Sequence, residues 1–141
     1  MIRFEIEKAL FDGAIKVSDL PTYWNAKYKE YLDIDVPDNT KGVLQDIHWS
    51  HGSFGYFPTY SIGSFYAAQF FFHFQKEIPG LSTQIENGDM KQLLAWLRKK
   101  VHVYGRLYSA SELCEQICGE KLNFVHFMTY AKEKYKGIYN L

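Results

Sequence analysis

The chain has 141 residues, of which 47% are hydrophobic, 23% charged and 18% aromatic. That length holds one domain with a real core, and so high an aromatic share needs a large buried interior or a surface shared with other sequence. Sixteen basic and sixteen acidic side chains cancel, so no face carries a nucleic-acid or anionic-membrane footprint, and neither partner is expected.

Taken in chain order, residues 2–10 place Ile2, Phe4, Ile6, Ala9 and Leu10 among Arg3, Glu5, Glu7 and Lys8, a composition that favours a helix, ended by Gly13. Ser18 or Asp19 caps a second helix with Pro21 in its first turn, and Leu20, Trp24, Tyr28, Tyr31 and Leu32 fall at helical spacing as its buried stripe. Asp33 to Gly42 is a polar connector, and Val43 to Ile47 reads as a helical turn. Pro58 opens a long helix through Gln75 that is apolar nearly all round and is therefore expected to be buried on all sides. Pro79-Gly80 breaks the chain, and a short helix runs from Leu81 to Glu86. Met90 to Val101 is amphipathic, with Arg98, Lys99 and Lys100 at its favourable end. Ser109 and Glu112 form a capping box for a helix over 110–118, stopped by Gly119. Asn123 caps a last helix to about Tyr135, with Gly137 as its terminator. The expected fold is all-α, a compact bundle of about six to seven helices over residues 1–141 as a single segment.

Cys114 and Cys118, four apart, share a helix face at a spacing poor for a disulfide and read as two small apolar residues. The opening residues are charged throughout, which argues against a secretory signal, and the apolar stretch from Ile62 to Phe74 is too short to span a bilayer. A cytoplasmic setting is the expectation. His73 on that stretch reads as a core histidine with its hydrogen bonds satisfied.

The chemistry-bearing segment is His48-Trp49-Ser50-His51-Gly52-Ser53-Phe54-Gly55-Tyr56-Phe57-Pro58-Thr59-Tyr60, which sets polar-tipped rings beside backbone hinges. No H-E-x-x-H, G-x-S-x-G, P-loop or G-x-G-x-x-G occurs. Asp46, His48 and His51 could hold a metal only on a regular helix, which the glycines disfavour. Tyr56 and Tyr60 can donate to an oxyanion if a helix begins near Phe57, and Gly52 and Gly55 allow close backbone approach to a ligand. Read from the residues alone, the tyrosines serve equally as amphipathic core residues.

Gly42 to Ser50 (G-V-L-Q-D-I-H-W-S), followed by Phe54 to Tyr60 (F-G-Y-F-P-T-Y), resembles a signature of the carboxypeptidase Taq family of cytoplasmic zinc metallocarboxypeptidases. The segments at Ile2–Leu10, Trp24–Tyr28, Ala67–Gln69 and Tyr104–Tyr108 resemble the C-terminal region of that family, so nearly the whole chain is covered. The resemblance implies an almost wholly helical enzyme, generally a homodimer, that releases residues from peptide C-termini. Its zinc is held by an H-E-x-x-H helix and a downstream H-E-S-Q segment, neither of which this chain has. The chain therefore resembles the last quarter or so of such an enzyme. By that resemblance, Tyr60 and Tyr56 would donate to the reacting carbonyl and His48 would help bind substrate. Gln45 and Asp46 would orient the loop around Gly55, and no metal is expected on this chain itself. His51 receives no role. The alternative is a free-standing helical peptide-binding or dimerisation module without catalysis.

Overall fold

The computed structural model describes residues 1–140. Among these residues the regular structure is helical throughout: α1 (Ile2–Phe11), α2 (Leu20–Leu32), α3 (Ile47–Ser50), α4 (Pro58–Glu77), α5 (Leu81–Glu86), α6 (Lys91–Lys100), α7 (Ala110–Cys118) and α8 (Phe124–Tyr139), with short 3-10 turns at Val17–Asp19, Val43–Gln45 and His102–Tyr104. The all-α expectation holds, and the helix beyond the expected six or seven is the four-residue α3 inside the glycine-containing loop. The chain divides into two compact units, Met1–Ser61 and Ile62–Leu141.

The first unit is built where α1 and α2 bury Ile6 and Trp24 together with Val43. Ile2, Leu10, Leu20, Tyr23, Tyr28, Val36 and Trp49 pack around them. Pro21 sits in the first turn of α2, as its missing N–H allows, and Asp33 closes the helix in the left-handed conformation. The apolar stripe of α2 is shorter than its spacing suggests. Trp24 is buried, but Tyr31 and Leu32 are 45% and 54% exposed. Tyr31 lies at the margin, its hydroxyl donating to Glu5 Oε1 at 2.6 Å. Gly42 is needed for its size. A Cβ there would lie 2.6 Å from Val36 Cγ1 and 3.0 Å from the Asp38 carbonyl oxygen, because the connector folds back onto itself.

The second unit centres on Phe74, Leu81 and Trp96, with Phe70, Phe71, Ile78, Ile85, Leu93, Leu97, Val101 and Ile117 packed against them. Trp96 is held by its indole N–H, which donates to Glu77 Oε2 at 2.9 Å. The α7 capping box forms as its spacing demands, with Ser109 Oγ accepting from the Glu112 N–H and the Glu112 carboxylate accepting from the Ser109 N–H. Gly119 follows it in the left-handed conformation. Asn123 caps α8, but the helix runs through Gly137 to Tyr139 and stops at Asn140, which takes the left-handed conformation instead. The long helix is also less enclosed than expected. Only Gln69 and Phe74 of α4 are buried, and Ile62 and Phe72 are 43% and 38% exposed. No helix among the described residues is long and apolar enough to cross a membrane.

Both cysteines are free, Cys114 fully buried and Cys118 half-buried. Burial raises the Cys114 thiol and pushes Cys118 up to about 12, with Cys114 beside it as a further cause. Alkylation by iodoacetamide at neutral pH should therefore be slow in the folded chain and fast in denaturant, as mass spectrometry would count. Replacing the core ring by Phe74→Ala should cost about 3–5 kcal/mol, read as a lower urea midpoint.

Candidate functional site

The loop between α3 and α4 owes its shape to two buried acids. Asp46, 4% exposed, is the N-cap of α3: its Oδ1 accepts from the His48 N–H at 2.9 Å and the Trp49 N–H at 3.3 Å. These bonds satisfy orphan donors of a helix too short to hold itself. Asp46 Oδ2 faces the Arg3 guanidinium at 3.3 Å. Arg3 in turn lies over the Phe57 ring, its guanidinium carbon 4.2 Å from the centroid. Glu7, also 4% exposed, takes the other half of the loop. Its Oε1 accepts from the Trp49 indole N–H at 2.7 Å and its Oε2 from the Gly55 N–H at 2.9 Å. Gly55 turns with φ +73°, a conformation a side chain would strain.

This frame presents three polar-tipped rings. His48 stacks on Tyr56 with centroids 5.3 Å apart, and Tyr60 meets His48 edge-on at 5.8 Å. Tyr56 and Tyr60 also meet edge-on at 5.6 Å. His48 Nε2 lies 3.4 Å from the Tyr60 hydroxyl. The imidazole is half-buried while Tyr56 and Tyr60 are 49% and 56% exposed, so their rings face outward from a supported base. Pro58 starts α4 between the two tyrosines, and the Thr59 and Tyr60 N–H groups bond back to the Tyr56 and Phe57 carbonyls. Phe57 is thus placed just before the helix begins.

The structure brings His48, Tyr56 and Tyr60 together, sets Asp46 behind His48 and fixes Gly55 in the turn. Gln45 is directed elsewhere, its amide donating to the Thr40 carbonyl at 2.6 Å and tying the loop entry to the connector. His51 caps the end of α3, and its Nδ1 pairs with the Ser53 hydroxyl at 2.9 Å. Asp46, His48 and His51 are not among the groups of described residues whose ligand atoms lie close enough to share an ion. Asp46 Oδ1 serves the α3 cap and Oδ2 lies against Arg3, and His48 Nδ1 stands 3.4 Å from Asp46 Oδ1 without forming a hydrogen bond. Among the described residues, the group close enough to share an ion lies in the second unit: His73, Glu120 and His126.

Sequence reasoning missed Arg3 and Glu7, which hold the loop from helix α1. The available signal was their four-residue spacing, which puts both on one face of a helix whose other polar residues are Glu5 and Lys8. Glu7→Ala would leave the Trp49 indole and the Gly55 amide without their acceptor. The expected cost is about 2–4 kcal/mol in chemical denaturation, together with an altered Trp49 fluorescence.

The model of the carboxypeptidase Taq (M32) metallopeptidase family matches residues 1–135. Carboxypeptidase 1 of Bacillus subtilis is 39% identical over 141 residues, covering 100% of this chain and 28% of its own length. Among solved structures, the chain superimposes on the M32 carboxypeptidase from Deinococcus radiodurans R1 with a TM-score of 0.93 at 34% identity, covering 99% of this chain and 28% of that one. The structure of CHT gives a TM-score of 0.90 at 57% identity, covering 95% of this chain and 27% of that one. This chain thus spans about a quarter of the length of the proteins it matches. A family match over 135 of 141 residues, a shared fold and the aromatic loop agree, and the chain belongs to the carboxypeptidase Taq (M32) metallopeptidase family.

Proposed function

We propose that this chain is the C-terminal portion of a zinc-dependent, homo-oligomeric metallocarboxypeptidase, and that it supplies the wall that grips a peptide C-terminus and steadies the reacting carbonyl. The observation that carries this reading is the convergence of His48, Tyr56 and Tyr60, two of them with exposed rings, on a frame of buried acids.

Hydrolysis of a peptide bond builds negative charge on the carbonyl oxygen, so donors aimed at that oxygen lower the barrier if they are already in place. Tyr60 and Tyr56 carry such donors. A phenol has one proton to give to substrate, and a second group that donates to its oxygen makes it a stronger donor. His48 is positioned to do so: with its proton on Nε2, 3.4 Å away, it donates to the Tyr60 oxygen and makes the phenol a better donor. His48 is also assigned a part in holding the substrate, because its ring lies against both tyrosines. Asp46 and Gly55 position the ring and the turn, while Gln45 acts at a distance through the loop entry. The catalytic ion and the base that activates water are assigned to the remainder of the enzyme, because this sequence has neither the H-E-x-x-H nor the H-E-S-Q segment that the family resemblance implies for them.

The test is a chimera in which the matched quarter of the Bacillus subtilis relative is replaced by this chain and release of C-terminal amino acids is assayed. The chimera should hydrolyse peptides. Tyr60→Phe should lower kcat by about 10²–10³ with a much smaller change in KM, and His48→Ala should raise KM. The chain alone, supplied with zinc, should release nothing. Peptidase activity in the isolated chain, or full kcat in the Tyr60→Phe chimera, would refute the assignment.

A further inference from the structure

We propose that the second unit binds a divalent transition-metal ion, best matched by zinc, through His73, Glu120 and His126. This inference does not rest on the peptidase reading. The three ligand atoms come from α4, from the connector after α7 and from the first turn of α8, and all lie within 4.8 Å of one another.

The chain builds this arrangement in steps. Gln69 is fully buried on α4 and behaves as a substitute peptide unit: its Nε2 donates to the Lys121 carbonyl at 3.1 Å and its Oε1 accepts from the Asn123 N–H at 2.8 Å. The connector is thereby fastened to α4. His73 stands one turn further along the same face, so the fastening carries Glu120 toward it. Asn123 Nδ2 donates to Glu120 Oε2 at 3.0 Å, which leaves Oε1 to face both imidazoles. Such an outer partner is what orients a ligating carboxylate. Asn123 Oδ1 also caps α8, and that fixes His126 three residues on. Phe72 packs on the His126 ring at 4.7 Å, restricting its rotation.

The ligand atoms lie close to the spacing an ion needs. Ligand bonds to zinc of about 2.0–2.2 Å put neighbouring ligand atoms of a tetrahedron about 3.3–3.6 Å apart. Glu120 Oε1 is hydrogen-bonded to His126 Nε2 at 2.7 Å and stands 3.9 Å from His73 Nε2, so an ion would take the place of the proton in the first pair, opening it, and would draw the second pair closer. At 3.9 Å the second is too long for a hydrogen bond, and His73 Nε2 is buried without a hydrogen-bond partner. An expectation of a satisfied core histidine is therefore not met, whereas an ion would give that nitrogen its partner. The donor set of two imidazoles and one carboxylate suits zinc, and three protein ligands leave a fourth position for water. Side-chain exposures of 21%, 40% and 12% for His73, Glu120 and His126 leave solvent access on the Glu120 side.

Titration of zinc chloride into the full chain, freed of metal with a chelator and followed by calorimetry, reads the site directly. One ion per chain is expected. His73→Ala and His126→Ala should each weaken binding at least about tenfold, with helical circular dichroism retained, and the Cys114→Ser/Cys118→Ser variant should bind as the parent does. In the unmodified chain, proton NMR should show the His73 and His126 ring resonances shifting on addition of zinc, a readout that needs no variant. Absence of binding, binding that survives loss of both histidines, or binding lost with the cysteines would each overturn the proposal.

Discussion

The first unit depends on the carboxylate of Glu7. One side chain from α1 accepts the indole N–H of Trp49 and the backbone N–H of Gly55, and in doing so joins both ends of the loop that carries the aromatic cluster. A buried carboxylate is costly unless its oxygens are used, and here each has a donor. Asp46 repeats the device from within the loop, with one oxygen on the α3 amides and the other facing Arg3. The loop is thus specified by polar groups with few alternatives, while the rings of Trp24 and Trp49, packed edge-on, supply the apolar burial.

The second unit solves a similar problem with a neutral group. The connector between α7 and α8 has backbone groups that neither helix can satisfy, and the Gln69 amide meets one donor and one acceptor. A primary amide does this without the desolvation of a charge. Both units therefore pin an irregular segment by a polar side chain projecting from a regular helix.

Local signals were legible in the sequence because they act over a few residues. The Ser109–Glu112 box, the Gly119 stop, Pro58 at the start of α4 and the Asn123 cap each need only their own neighbours, and each stands where the spacing puts it. Gly137 misled because a glycine can remain inside a helix when Asn140 provides the left-handed end. Tyr31 and Leu32 misled because helical spacing marks a face without saying how far its partner extends. The cluster of His48, Tyr56 and Tyr60 was legible as a group, since all three lie within one loop. The groups that hold it were not: Glu7 is 42 residues from Trp49 and 48 from Gly55 along the chain. His73, Glu120 and His126 were equally hidden, because nothing in one stretch of sequence joins them.

Pro58 has a wider consequence. Its ring fixes one backbone torsion at the point where extended loop becomes helix, between the two exposed phenols. That torsion is surrendered during folding and is no longer there to be frozen if a guest arrives. The backbone that joins the two rings is to that extent set in advance, which lowers the entropy that any contact with them would cost.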